Sequence, residues 1–235
     1  MKKISKQNNK KRLKTYIVMP AYNEEKSIGK VLKDLKRAGY KNIVVVDDGS
    51  KDKTSEIAKR ENAIVLRHLI NRGLGGALGT GIAAALKKDA DIIVTFDADG
   101  QHAVSDIKKL TEPIKKKQAE IVIGSRLMNS KGMPLIRRIG NWELNFVTYL
   151  LFGIFVTDSQ SGLRAFSRNA AEKIDIQTNT MEVSSEIIKE IKEKKLKLKE
   201  VPIKAIYTEY SLKKGQKFLN GFRIIQKLFI NWWMR

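Results

Sequence analysis

A chain of 235 residues that is 42% hydrophobic can bury one sizeable core, and its lack of cysteine excludes disulfides, thiolate metal sites and a cysteine nucleophile. With 30% charged residues the main body is expected to fold in water rather than as a polytopic membrane protein. A formal net charge of +21 turns the surface toward polyanions: nucleic acid, an anionic lipid surface or a phosphorylated substrate.

Residues 1–14 are rich in Lys and Arg and contain no acidic residue, which reads as a disordered basic arm. They lack the apolar run and cleavage site of a secretory signal, and together with the absence of cysteine this points to a cytoplasmic location. Apolar β-branched runs then alternate with segments of helical period. Tyr16 to Met19 is a strand, a helix starts near Glu24, Ile43 to Val46 is a strand, a short helix follows Lys53, and Ile64 to Leu66 is a strand. The pattern continues with a helix over Ala77 to Leu86, the strand Ile92 to Phe96, a helix over Ile107 to Ile114 and the strand Ile121 to Ile123. Such alternation predicts an α/β fold, a mainly parallel sheet between helices.

Beyond Gly124 the alternation breaks. Residues 134–157 pair the basic Arg137 and Arg138 with the apolar segment Trp142 to Val156, which Asn145, Thr148 and Gly153 interrupt. That run is shorter than the about 20 residues needed to span a bilayer, so it reads as a buried core helix or as a helix lying in a membrane interface. A charged helix over Met181 to Lys194 and a strand-like Leu198 to Tyr207 follow. In residues 217–235, Phe222, Ile225, Phe229, Trp232 and Trp233 mix with Arg223, Lys227 and Arg235, the composition of an amphipathic interfacial helix.

Ligands of an open α/β sheet bind beyond the carboxyl ends of its strands. Three polar clusters stand there: Pro20-Ala21-Tyr22-Asn23-Glu24, Asp47-Asp48-Gly49-Ser50 and Asp97-Ala98-Asp99-Gly100-Gln101. Asp97, Asp99 and Gln101 offer hard oxygen ligands suited to Mg²⁺ or Mn²⁺, with a diphosphate completing the shell, and they also fit a polar turn that caps the next helix. Asp47-Asp48-Gly49-Ser50 fits a turn as well as a carboxylate that binds a base or ribose. The run Gly73-Leu74-Gly75-Gly76-Ala77-Leu78-Gly79 either presents backbone amides to a phosphate or lets a helix pack closely on the sheet. It is no dinucleotide fingerprint, because Leu78 stands where a glycine is required.

Taken together, these clusters resemble glycosyltransferase family 2, and within it the dolichyl-phosphate sugar synthases, over about Thr15 to Gln216. Asn71-Arg72-Gly73, Gly124-Ser125-Arg126, Ser161-Gly162-Leu163-Arg164 and Glu200-Val201-Pro202-Ile203 belong to the same likeness. The resemblance implies a GT-A nucleotide-sugar-binding fold over 15–216, with amphipathic interfacial helices. It implies that Pro20, Tyr22, Glu24, Val46 and Asp48 hold the nucleoside, that Asp97, Ala98 and Asp99 meet the diphosphate, and that Asp99 and Gln101 are the foremost metal ligands, with Asp97 beside them. It further implies that Arg126 and Lys214 neutralise phosphate, and that Arg137, Arg138 and Arg164 lie near the acceptor phosphate. Thr208 stands where the mannose synthases place an arginine. There the chain resembles archaeal and bacterial polyprenyl-phosphate hexose or N-acetylhexosamine transferases, which leaves GDP-sugar and UDP-sugar donors both open.

The activity implied is an inverting transfer of one sugar from the nucleotide to dolichyl or polyprenyl phosphate, peripherally at the cytoplasmic face of an anionic membrane. A lipid phosphate oxygen is already anionic at neutral pH, so such an acceptor needs no protein base, and the only histidines, His68 and His102, are not required to move a proton. A hydroxyl acceptor in polysaccharide synthesis would need one. A nucleic-acid-binding role has the charge in its favour, but no zinc-ligand set or RNA-binding aromatic signature accompanies it.

Overall fold

The computed structural model describes residues 13–130 and 133–206. Most of the basic arm, the Lys213-Lys214 pair and the 217–235 helix lie outside the described residues.

Seven strands form one sheet in the order β3-β2-β1-β4-β6-β5-β7. The amino-terminal part is a run of strand–helix–strand units: β1 Thr15–Ala21, α1 Ile28–Arg37, β2 Ile43–Asp47, α2 Thr54–Arg60, β3 Ile64–Arg67, α3 Gly73–Lys87, β4 Ile92–Thr95, α4 Asp106–Lys115 and β5 Ile121–Ser125. After a short 3₁₀ turn come α5 Leu135–Phe152, β6 Arg164–Ser167, α6 Arg168–Lys173, α7 Val183–Glu193 and β7 Leu198–Pro202. All pairings are parallel except those of β6, which runs antiparallel between β4 and β5.

The inner strands are buried on both faces, so their residues alternate between two cores, whereas the edge strands β3 and β7 are partly exposed. Ile17, Met19, Ile43, Val45, Ile92 and Val94 pack under α1, α2 and α4. Tyr16, Val18, Val44, Val46 and Ile93 pack under α3, α6 and α7. Gly81 lets α3 approach the sheet, since a Cβ at that position would sit 2.3 Å from Val18 Cγ1.

The carboxyl half departs from expectation in several places. The strand β6 and the helix α6 were not read from the sequence. The last described strand stops at Pro202, short of the expected Tyr207, and among the described residues beyond it only Ala205 makes an isolated bridge, to His102. The helix α5 begins at Leu135, about two turns before the apolar segment, and ends at Phe152 because Gly153 takes a left-handed conformation (φ 63°). Of the two readings of this segment, burial and exposure, the helix takes both, one on each side. Leu144, Asn145 and Thr148 are buried, whereas Leu135, Ile136, Ile139, Trp142, Phe146 and Leu150 are each at least half exposed. No helix among the described residues is long and apolar enough to cross a membrane.

Candidate active site

At the carboxyl ends of β1 and β2 lies a cavity of about 280 Å³ lined by Pro20, Tyr22, Asp48, Asn71, Gly73 and Met181, among others. The two aspartates that end β2 divide the roles left open by the sequence. Asp47, fully buried, makes the turn: it accepts hydrogen bonds from Ser50 N (2.9 Å) and Ser55 Oγ (2.5 Å). Asp48 faces the cavity, held by His68 Nδ1 on Oδ1 (2.7 Å), Arg72 N on Oδ1 (2.9 Å) and Gly73 N on Oδ2 (2.7 Å). His68 is itself fixed from its other nitrogen, 3.0 Å from Thr80 Oγ1.

Glu24 is buried at the foot of the first cluster, with Ser27 Oγ donating to its carboxylate (2.8 Å). Val46 does not line the cavity. Its side chain lies on the same face of the sheet as Asp48, but it is packed in the core against α3 at Gly81, below the cavity. Ala98 is likewise packed in the core beneath the third cluster.

The glycine run forms the first turns of α3, but the chain it approaches is the segment Thr178–Thr180, not the sheet. A Cβ on Gly75 would lie 1.8 Å from the Thr178 carbonyl oxygen, and one on Gly73 2.3 Å from that of Asn179. The Asn179 carbonyl accepts from Gly75 N (2.9 Å), and Gly73 N is on Asp48, so the amides considered for phosphate are committed inside the protein.

The third cluster follows β4 and turns at Gly100 (φ 77°). Asp97, about one-third exposed, hydrogen-bonds through Oδ2 to His102 Nε2 (2.9 Å). Gly162 lies against this carboxylate: a Cβ on it would be 2.3 Å from Oδ2. Gln101 closes on Asp99 twice, through its backbone N–H to Oδ1 (2.9 Å) and through its side-chain amide to Oδ2. The alternative in which this cluster caps the next helix does not hold, because Ser105 occupies the N-cap position of α4 and no side chain caps it.

The two carboxylates are pushed in opposite directions. Burial raises the pKa of Asp97, but the hydrogen bond from His102 and the charges of His102, Arg126 and Arg164 outweigh it and leave it below the ordinary value. Asp99 is raised by burial and by the negative charge of Asp97, against the opposing hydrogen bonds of Gln101 and the charge of His102. A pair of neighbouring carboxylates of which one resists ionisation fits a divalent cation, whose charge would reverse that resistance. Nowhere among the described residues do three or more acidic or histidine side chains gather as a metal-binding group, so a cation held by Asp97, Asp99 and Gln101 would take its other ligands from water and phosphate.

Arg126 follows β5 and grips Asp158 with three groups: Nε on Oδ2 (2.8 Å), Nη2 on Oδ1 (2.8 Å) and backbone N on Oδ2 (2.9 Å). Asp158 is fully buried, while the Arg126 side chain remains 21% exposed. Arg164, expected near the acceptor phosphate, is only 1% exposed and lies beneath the site instead, with Nη2 on the Ser159 carbonyl (2.8 Å). Burial lowers its pKa to about 10, the carboxylates of Asp97 and Asp158 working against that, so it stays cationic at neutral pH and acts as an internal counter-charge to both. Arg137 and Arg138 sit in the first turn of α5. Arg138 borders a groove of about 540 Å³ formed with Leu135, Ile139, Trp142 and Phe146. Asp158 and His68 are the site residues that sequence reasoning missed or left without a role. Asp158 stands just ahead of the motif Ser161-Gly162-Leu163-Arg164, and its pairing with Arg126, 32 positions away, leaves no local pattern.

Residues 16–175 match the family model described as Glycosyl transferase family 2. The chain is 44% identical over 237 aligned residues to UDP-N-acetylglucosamine–dolichyl-phosphate N-acetylglucosaminyltransferase of Methanococcus voltae, covering 92% of this chain and 94% of that one. It is 60% identical over 220 residues to an uncharacterized protein of Methanocaldococcus jannaschii, covering 92% and 90%. In fold it is similar to glucosyl-3-phosphoglycerate synthase of Mycobacterium tuberculosis, crystallised with Mn²⁺, UDP and phosphoglyceric acid, at a TM-score of 0.72 and 18% identity, covering 92% of this chain and 76% of that one.

Proposed function

Because the chain belongs to glycosyl transferase family 2 and is a glycosyltransferase with the GT-A fold, we propose that it moves one sugar from a nucleotide sugar to a polyprenyl or dolichyl phosphate at a membrane surface. The observation that carries the acceptor is α5: its outward face is largely apolar, broken by Glu143, and begins beside Arg137 and Arg138, the arrangement of a helix that lies in an anionic interface. The full-length likeness to an N-acetylglucosaminyltransferase supports a UDP-linked N-acetylhexosamine as the donor, ahead of a GDP-linked hexose.

In this reading Pro20, Tyr22 and Asp48 receive the nucleoside in the cavity at the ends of β1 and β2. Asp99 and Gln101, with Asp97 beside them, hold Mg²⁺ or Mn²⁺ against the diphosphate. The cation would neutralise charge on the departing nucleoside diphosphate. Arg126, steadied by Asp158, adds fixed positive charge on the same side, and Lys214, outside the described residues, is proposed to add to it. The anionic acceptor oxygen attacks the anomeric carbon as the bond to the diphosphate breaks, so one in-line displacement inverts the centre and needs no base. The engagement of His102 with Asp97 agrees with a role in holding that carboxylate.

The test is incubation of the full chain with a panel of labelled nucleotide sugars and polyprenyl phosphate in anionic vesicles. The expected result is label from a UDP-N-acetylhexosamine in the lipid fraction, β-linked. Transfer to a soluble hydroxyl acceptor with none to lipid phosphate would overturn the proposal.

A further inference from the structure

The buried asparagine of α5 has no evident reason to be there if the helix serves only to pack and to face lipid. Asn145 is 5% exposed, and both ends of its amide are used on the same short loop. Nδ2 donates to the Thr157 carbonyl (2.7 Å), and Oδ1 accepts from Ser159 N (2.8 Å). These are the backbone groups on either side of Asp158, the residue that grips Arg126 from three directions. On the far side the loop is held by Glu200, whose carboxylate accepts from Thr157 N (2.9 Å) and Thr157 Oγ1 (2.7 Å).

We propose that Asn145 is a positioning residue for sugar transfer, setting the 157–159 loop so that Asp158 presents Arg126 to the donor diphosphate. A planar amide that spans two backbone groups fixes both the place and the rotation of the residue between them, which a hydrophobic side chain of similar size cannot do. Removing it leaves a buried carbonyl and a buried N–H without partners, and the loop must shift to rehydrate them. Arg126 then loses its aim although its charge is intact. The inference rests on the reading of Arg126 as a phosphate-facing group.

The test is a double-mutant cycle on the full chain in anionic vesicles containing polyprenyl phosphate: wild type, Asn145→Ala, Arg126→Ala and the double variant. Transfer kinetics and melting temperature are measured for each. Asn145→Ala is expected to lower kcat/KM roughly ten- to a hundredfold, and to cost much less once Arg126 is gone. If the alanine variant fails to fold, Asn145→Ser, which keeps an oxygen for Ser159 N, carries the same comparison. An equal fold-loss in both backgrounds, or no loss in either, overturns the inference while leaving the site reading in place. Wild-type transfer by Arg126→Ala would overturn both together.

Discussion

Substituting Gly162 by alanine moves the Asp97 carboxylate without altering any charge. The new Cβ would stand 2.3 Å from Oδ2 and 2.6 Å from Oδ1, where ordinary contact begins near 3.4 Å. The carboxylate must therefore retreat by roughly 1 Å, since repulsion rises steeply inside contact distance. Gly162 does not sit in the left-handed region, so the backbone accepts alanine, and the obstacle is the far end of one side chain. The cost to folding is the weakening of the 2.9 Å bond between Asp97 and His102, about 1.5–3 kcal/mol for a hydrogen bond to a charged group, offset by about 0.4–1 kcal/mol from the stiffer unfolded chain. The melting temperature should fall by only a few degrees. A displacement of about 1 Å at a reacting site is enough to cost on the order of a hundredfold in rate, or about 2.7 kcal/mol. Transfer kinetics over a Mn²⁺ titration, with calorimetry on the same samples, measure both. A Gly162→Ala enzyme with wild-type kinetics and unchanged metal dependence would refute the placement of Asp97 at the reacting end of the donor.

Gly75→Ala should do the reverse and damage the fold, because its Cβ meets the Thr178 carbonyl at 1.8 Å and neither backbone can yield cheaply. A loss of about 1–3 kcal/mol is expected by denaturant titration, against little change for Gly79→Ala, whose nearest neighbour is 4.0 Å away. Asp99→Asn should lower transfer on the order of a hundredfold, and chelator should do the same to the wild type. In the metal-free protein the same substitution should raise stability at neutral pH, since the folded-state pKa of Asp99 is raised and its carboxylate opposes folding above that value. The advantage should fade as pH falls through the raised pKa toward about 3.9, the unfolded value, and a difference in melting temperature that does not vary with pH would disprove it. Wild-type protein should remain partly bound to anionic vesicles in high salt, and Leu135→Ser/Ile139→Ser/Trp142→Ser should be released, as read by sedimentation. Equal retention of both would remove α5 from the interface.

The amino-terminal half was legible because its central strands are apolar runs buried on two faces, such as Ile43–Asp47, and β1, β2 and β4 each carry a polar cluster immediately after them. The edge on which Pro20, Asp48 and Asp97 meet follows from that order alone. β6 was not legible, because Arg164-Ala165-Phe166-Ser167 is short and carries a charged residue into the sheet, which only Asp97, Asp158 and the Ser159 carbonyl make tolerable. The burial of Arg164 and the grip of Asp158 on Arg126 share one cause: each is settled by partners far along the chain. The glycines of α3 were readable as a close approach, but their partner, Thr178–Thr180, lies about a hundred positions away and has no glycine signature of its own. The two faces of α5 could not be separated beforehand, since Leu144 and Leu150 are the same residue type and only the fold decides which one is buried, beside Met181.

The reversed direction of β6 has an architectural consequence. Because that strand starts, rather than ends, at the edge where the ligand cavity opens, the chain leaves the sheet after Ser125 and re-enters it at Arg164 on the same side. Everything between, from Arg126 through α5 to the loop around Asp158, is a single excursion that leaves and re-enters the sheet at one edge, returning beside Asp97 at Gly162. The cavity at the ends of β1 and β2 draws its walls from the loops after β1, β2 and β3, from the start of α3 and from the Thr180–Met181 turn, none of which belong to that excursion. In the proposed reading the outward face of α5 could therefore be altered to suit a different acceptor without touching the cavity at the ends of β1 and β2, provided that Arg126, Asn145, Asp158 and Gly162 are kept.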